Sequence, residues 1–189
     1  MKIGNIFAGA ALATALLATS AGAAGIVNGG FETGDFTGWT PNAVSFPIYV
    51  VTAPVQSGTY AAQIAGYASG PNTLSQTVAT TASQVYKLSF WYWQDGGTPN
   101  GFDVSWNGNS IYSQTDTNTA VTFQQVVANV TGTGSDLLVF TAYNDPAYTY
   151  LDNVAIAGIP EPASWALMLL GFGGLGVAIR ARRAHAVTA

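Results

Sequence analysis

The sequence contains no cysteine and few basic residues, and both absences limit what the protein can do. Without cysteine there is no disulfide, so an exported domain must be held together by its own hydrophobic core. Of the five lysines and arginines, only Lys87 lies between residues 24 and 158, against eight carboxylates, which gives this segment a formal charge of −7. Nucleic-acid binding requires basic side chains that neutralise phosphates, so this class of partner is excluded.

Histidine is almost absent as well. The single histidine, His185, lies close to the end of the chain, so residues 24–158 cannot form a Ser-His-Asp triad or a His/Cys zinc site. A two-carboxylate glycosidase stays formally open, because Asp and Glu suffice for that chemistry. Glu32 is the sole glutamate of the segment and lies in a turn near its start, which suits a metal ligand better than a catalytic acid. We therefore expect that this protein is not an enzyme.

Both ends of the chain carry apolar runs with targeting features. Lys2 precedes the uncharged run 6–17, and the small residues Ala21-Gly22-Ala23 follow, which is the pattern of a secretory signal peptide. We expect signal peptidase to remove residues 1–23, by cleavage after Ala23 or Ala24. The alternative, a buried core helix, does not explain these flanks.

The C-terminal run is followed at once by arginines. After Pro160-Glu161-Pro162, residues 163–179 are apolar and uncharged, and Arg180, Arg182 and Arg183 come next. This length is at the lower limit for a membrane-spanning helix, and the positive-inside rule places the arginines in the cytoplasm. We predict a transmembrane helix over 163–179. A buried helix of the preceding domain is the alternative.

Residues 24–158 show the pattern of an all-β domain. Turn residues such as Asp95-Gly96-Gly97 and Asn107-Gly108 separate short segments rich in Thr, Val and aromatic residues. Many short strands at this spacing predict a β-sandwich or jelly roll. The predicted strands are Ile48–Thr52, Tyr60–Ala65, Thr73–Val78, Val85–Gln94, Phe102–Trp106, Thr122–Val130, Leu137–Tyr143 and Tyr150–Ile156.

Alternation along two of these strands assigns side chains to faces. Tyr86, Leu88, Phe90 and Tyr92 share one face, which we predict to be core, as we do for Phe102, Val104 and Trp106. Trp91 and Trp93 lie on the opposite face of their strand, and Asp103 faces water on the next. If the two strands pair, Trp91 and Trp93 form a stacking platform for a sugar, and Asp103 and Asn107 offer hydrogen bonds to it. The alternative is that the tryptophans cover a second sheet's core.

The C-terminal segment resembles a known sorting signal. Pro160-Glu161-Pro162-Ala163-Ser164-Trp165-Ala166, then Gly171-Phe172-Gly173 and the arginine cluster, are similar to the proteobacterial PEP-CTERM signal. The resemblance implies processing by an exosortase-type membrane protease in a Gram-negative bacterium that makes exopolysaccharide. It also implies export through the inner membrane to the cell surface, the outer membrane or the extracellular matrix.

The middle segment resembles the galactose-binding-like jelly roll of carbohydrate-binding modules. The resemblance rests on 28–32 (NGGFE), Trp39, 57–62 (SGTYAA) and 151–154 (LDNV). It implies that the two ends of the domain meet and hold a structural calcium through Glu32 and Asp152, with carbonyls near Gly58. Alternatively, Glu32 caps turn amides and Asp152 is an ordinary strand-edge carboxylate.

Together these patterns predict a non-catalytic surface module that binds exopolysaccharide or another glycan. The alternative is a structural or adhesive biofilm-matrix protein without sugar specificity.

Overall fold

A computed structural model describes residues 25–116, 122–160, 167–176 and 180. The predicted signal peptide, residues 1–23, lies outside the described residues. So do five residues of the predicted sorting signal: Glu161, Pro162, Trp165, Arg182 and Arg183.

The described residues of the domain form nine antiparallel β-strands. Their bounds are β1 Thr40–Asn42, β2 Tyr49–Val51, β3 Ala61–Gly66, β4 Asn72–Ala79, β5 Val85–Gln94, β6 Asn100–Trp106, β7 Asn109–Thr115, β8 Gln124–Thr131 and β9 Ser135–Gly158. The sequence analysis predicted an all-β jelly-roll sandwich, and the structure confirms this fold class.

The strands form two layers that share β9. Residues 135–144 of β9 pair with β4 and β6, and β1 and β7 complete the first layer in the order β1-β4-β9-β6-β7. Residues 149–158 of β9 pair with β3 and β5, and β2 and β8 complete the second layer in the order β2-β3-β9-β5-β8. Between these two stretches β9 passes from one layer to the other at residues 145–148.

Aromatic side chains from both layers fill the space between them. Phe90 of the second layer packs edge-on against Phe140 of the first, with ring centroids 5.2 Å apart, and Tyr92 stacks on Phe102 at 4.6 Å. The side chains predicted to be core from alternation are all at most 5% exposed, which confirms that prediction: Tyr86, Leu88, Phe90, Tyr92, Phe102, Val104 and Trp106. This core replaces the disulfides that the chain lacks.

The strand predictions need three corrections. Two predicted strands, Leu137–Tyr143 and Tyr150–Ile156, are parts of the single strand β9. The analysis missed β1 and β7. Most important for the site, β5 and β6 do not pair with each other, because each pairs with β9 in a different layer.

The C-terminal segment contains a helix at residues 167–176, whose side chains are exposed, and Arg180 is also helical. Among the described residues, no helix has the length and apolar character needed to cross a membrane. The predicted span 163–179 is described only in part.

Candidate functional site

The two ends of the domain meet at one tight junction. The backbone N–H of Val154 donates to the carbonyl oxygen of Gly29 at 2.9 Å. A Cβ atom at Gly29 would lie 1.9 Å from the carbonyl oxygen of Val154, so only glycine allows this approach. The turn at 28–30 therefore brings Glu32 next to the strand that carries Asp152.

Both carboxylates hold the loop at 56–60. Asp152 is fully buried and accepts hydrogen bonds from the backbone N–H groups of Gln56 and Ser57 at 2.9 and 3.2 Å. Exposed Glu32 accepts from the N–H groups of Thr59 and Tyr60. Burial raises the pKa of Asp152 and the charge of Glu32 adds to the rise, while the backbone hydrogen bonds oppose it. The two acids are thus close enough to repel each other.

The groups around Gly30 show whether these residues could hold a cation. A Cβ atom there would lie 3.5 Å from Asn153 Oδ1, 3.8 Å from Asp152 Oδ1 and 3.6 Å from Glu32 Cγ. Within the described part of the chain, no group of three or more His, Cys, Asp or Glu side chains could hold a metal. Any ion here would therefore need amide and carbonyl oxygens besides the two carboxylates, which is the mixed oxygen set that Ca²⁺ accepts.

The residues predicted to bind sugar do not form one site. Trp91 and Trp93 are half-buried on the outer side of the second layer, where Trp93 stacks on Tyr150 with ring centroids 5.4 Å apart. Asp103 lies on the outer side of the first layer. Tyr92 and Phe102, the sequence neighbours of these residues, stack against each other in the core, so Trp93 and Asp103 point away from each other. The condition for a shared platform, which was pairing of β5 with β6, is therefore not met.

Asp103 instead lines a groove of about 210 Å³ on the first layer. β6, β7 and β9 form its floor, where Gly101 pairs with Tyr143, and Asp103 pairs with both Thr141 and Ser113. The Ser110 hydroxyl group donates a hydrogen bond to Asp103 Oδ2 at 2.5 Å. Pro71 closes one side of the groove. The lining therefore combines an aromatic ring, hydroxyl groups and one carboxylate.

The ring of Tyr143 occupies the space over Gly101. A Cβ atom at Gly101 would lie 2.3 Å from Tyr143 Cε1 and 2.5 Å from Cζ, so any larger residue would displace the ring. Tyr143 is half-buried and keeps part of its surface in the groove. We define this groove by Gly101, Asp103, Thr141 and Tyr143 and call it the Tyr143 groove.

Sequence reasoning did not find Tyr143 or Gly101. One signal was present: a glycine at the start of a strand segment often marks the close approach of another group. The pairing of β6 with β9 was needed to identify that group as Tyr143, 42 positions further along the chain.

Pro160 lies two residues after the last strand, which ends at Gly158, and precedes the C-terminal helix in the chain. Comparison with protein-family models decides what this segment is. Residues 158–183 match the PEP-CTERM protein-sorting motif. The PEP-CTERM motif implies export and sorting to the surface, and the sequence-based prediction of it is confirmed.

Solved structures of other proteins share the fold of the β domain. TmCBM61 in complex with β-1,4-galactotriose has a TM-score of 0.54 and 23% sequence identity, covering 70% of this chain and 96% of that one. The CBM22-1 xylan-binding domain from Paenibacillus barcinonensis Xyn10C has a TM-score of 0.52 and 17% identity, covering 70% and 92%. A cyclase from Fischerella sp. TAU has a TM-score of 0.54 and 17% identity, covering 71% and 96%.

At these identities the similarity concerns the fold alone. No curated protein matches the sequence. The chain thus joins a PEP-CTERM motif to a jelly roll of the kind found in carbohydrate-binding modules, and this same fold also occurs in an enzyme.

Proposed function

We propose that this is a non-catalytic, surface-sorted module that binds a neutral glycan in the Tyr143 groove. The observation that carries the proposal is the Tyr143 ring, held over Gly101 in a groove that also contains hydroxyl groups and one carboxylate. An aromatic ring packs against the apolar C–H face of a pyranose, and Asp103, Thr141 and Ser113 supply hydrogen-bond partners for sugar hydroxyls.

Charge favours a neutral ligand over an acidic one. The groove contains Asp103 and no cation, and the segment around it carries eight carboxylates against one lysine. An acidic polysaccharide would place like charges beside Asp103 without compensation. We therefore expect discrimination against uronic-acid polymers such as alginate.

The non-catalytic assignment rests on the chemistry of the available groups. Residues 24–158 contain no histidine or cysteine, and the adjacent acids Glu32 and Asp152 are bonded to backbone N–H groups that hold a loop. These acids therefore have a structural role already. Trp91 and Trp93 remain predicted glycan contacts, but on the other face of the domain.

The sorting assignment extends the PEP-CTERM motif to its partners. We expect signal peptidase to act at the N-terminal segment and an exosortase-type protease to act near Pro160-Glu161-Pro162. The glycan ligand would then be exopolysaccharide or another polymer at the surface of a Gram-negative cell. A structural or adhesive matrix protein without sugar specificity is the competing function.

Affinity electrophoresis of the full chain in gels that contain xylan, β-1,4-galactan or alginate tests the glycan proposal. We expect at least one neutral polysaccharide, and not alginate, to retard the protein. Tyr143→Ala should weaken that binding by about 1–3 kcal/mol, the magnitude of losing one ring-stacking contact. Gly101→Ala should weaken it as well, because the added methyl group displaces the ring. Val85→Ala, an exposed position near the far end of β5, serves as the control.

A wild-type protein that neither neutral polysaccharide retards would overturn the glycan proposal and favour the matrix function. If Tyr143→Ala kept full affinity for the polysaccharide, the binding site would lie outside the groove.

A structural calcium ion at Glu32 and Asp152 is a second part of the proposal. Bound there, the cation would neutralise two adjacent carboxylates and tie the first turn of the domain to its last strand. Calcium should then raise the melting temperature, because a ligand that prefers the folded state stabilises it by mass action. Glu32→Gln should remove the calcium response. An identical melt in excess calcium and in chelator would contradict the site.

A further inference from the structure

A row of aromatic rings crosses the end of the sandwich where β9 passes between the layers. Ring centroids are 6.0 Å apart for Phe123 and Trp93, 5.4 Å for Trp93 and Tyr150, and 6.3 Å for Tyr150 and Tyr148. A cavity of about 150 Å³ separates Tyr148 from Phe46, and Phe46 lies 4.9 Å from Tyr67. We define these six residues as the aromatic band.

The side chains of the aromatic band are more exposed to solvent than packing of the fold requires. Phe46, Tyr67 and Tyr148 keep 39%, 44% and 40% of their surface exposed, and Trp93 and Phe123 are half-buried. Tyr150 is 5% exposed and stacks on Trp93. Single exposed apolar residues are normal on a protein surface, but two groups of partly exposed rings on either side of a cavity mark a binding surface.

Polar groups lie beside the rings of the band. Asp95 Oδ1 accepts from the backbone N–H of Tyr148 at 2.7 Å, and Asp95 Oδ2 accepts from the Tyr150 hydroxyl at 3.4 Å. Asp145 lines the cavity between Tyr148 and Phe46. Rings with hydrogen-bonding groups between them suit a chain of sugar rings better than an aliphatic ligand, which offers no partner for the carboxylates.

The charges around the aromatic band also limit which ligand can bind there. Asp95 and Asp145 flank the band, and Lys87, the sole basic residue of 24–158, lies six positions before Trp93, about 20 Å away along the strand. A second copy of this acidic domain and an anionic bilayer would both meet like charge here. A neutral polysaccharide would not.

We infer that the aromatic band is a second binding surface for a neutral glycan chain, so that one domain bridges two polysaccharide chains. The inference rests on the proposed function, because it assigns the same class of ligand to a second surface. The Tyr143 groove lies on the first layer, whereas Trp93 of the band lies on the outer face of the second. The two surfaces therefore hold separate chains.

The test compares binding with bridging for the full chain. Binding is measured by affinity electrophoresis in xylan or β-1,4-galactan. Bridging is measured as protein-dependent clumping of beads coated with the same polysaccharide. We expect the combined change of Phe46→Ala and Trp93→Ala to lower affinity about tenfold, the effect of losing a stacking contact, and to abolish clumping. Tyr143→Ala should also abolish clumping while the band still binds, and Val85→Ala should behave as wild type.

The outcomes separate the two proposals. If the Tyr143→Ala protein bound neither polysaccharide, the inference of a second binding surface would be wrong. The proposed glycan site in the Tyr143 groove would stand. Clumping that persists in both variants shows that bridging arises from association of protein copies, which also overturns the inference. If the wild-type protein bound neither polysaccharide, the proposed function itself would be wrong. Circular dichroism of each variant distinguishes lost binding from lost folding.

Discussion

Individual aromatic residues have different roles in this domain, and their accessibility separates these roles. Trp106 is 5% exposed and donates its indole N–H to the carbonyl oxygen of Thr131 at 3.0 Å. Trp39 is 6% exposed and donates to Asn28 in the same way. Tyr143 and Trp93 keep part of their surface accessible. The first pair therefore stabilises the fold, and the second pair is available to a ligand.

Trp106→Ala should lower the free energy of unfolding by about 3–5 kcal/mol, because it removes a large buried side chain and leaves a cavity. Chemical denaturation measures this loss. Tyr148→Ala is the matched control: its side chain is 40% exposed, and its effect should stay within about 0.5 kcal/mol. Equal stability of Trp106→Ala and wild type would contradict the assignment of Trp106 to the core.

Asp136 is a buried carboxylate that joins three loops. It accepts hydrogen bonds from the Thr80 hydroxyl, from Asn107 Nδ2 at 2.6 Å and from both the backbone N–H and the hydroxyl of Thr133. Burial by itself would raise the pKa of Asp136, but these hydrogen bonds outweigh it and lower the pKa below its ordinary value. The ionised form therefore stabilises the folded state.

A lowered folded-state pKa fixes the direction of the pH effect. The stabilisation by Asp136 is fully present above the pKa of the unfolded state, near 3.8, and disappears as pH falls from there through the lower folded pKa. Asp136→Asn should lower stability at pH 7 by about 1–3 kcal/mol and reduce the dependence on pH below 4. Denaturation curves from pH 2 to 7 check this. Val85→Ala, at an exposed position without a titratable group, is the control. If Asp136→Asn lost stability with falling pH as steeply as the wild type, the role of Asp136 would be disproved.

At the scale of elements, β9 organises the domain. It has partners on both sides in each layer, whereas β1 and β2 contain three residues each and lie at sheet edges. Sequence analysis split β9 in two, because the polar segment Asn144-Asp145-Pro146 looks like a break. The chain stays extended there, and it only changes the layer with which it pairs.

Hydrogen exchange should follow this arrangement. Amides of β9 at residues 137–142 and 150–156 should exchange most slowly, because each stretch is paired on both sides within its layer. Those of β1 and β2 should exchange fastest among the strands. Exchange followed by mass spectrometry measures the order. If β9 exchanged as fast as β1, the strand would not be the shared centre of the fold.

At the scale of the molecule, the β domain is followed directly by the sorting motif. The PEP-CTERM motif begins where β9 ends, at Gly158. The groove and the aromatic band both lie within the β domain, so removal of the C-terminal segment would leave both surfaces in place.

Processing should therefore yield a mature protein that lacks residues 1–23 and most of the segment after Pro162. The apolar runs with signal-type flanks lead to this expectation. Intact-mass analysis of protein released from the cell surface measures it, with protein made in cells that lack the exosortase as the control. A mature mass that still includes Arg180–Arg183 would show that the C-terminal segment is retained.

The sequence by itself determined the fold class, the core faces of β5 and β6, and the sorting motif. These depend on local periodicity and on short contiguous motifs, which chain order preserves. Only the tertiary structure decided which side chains share a surface. Pairing with β9 placed Trp93 and Asp103 on opposite faces and brought Tyr143 over Gly101. Such contacts depend on which strands become neighbours, and alternation along one strand contains no information about its partner.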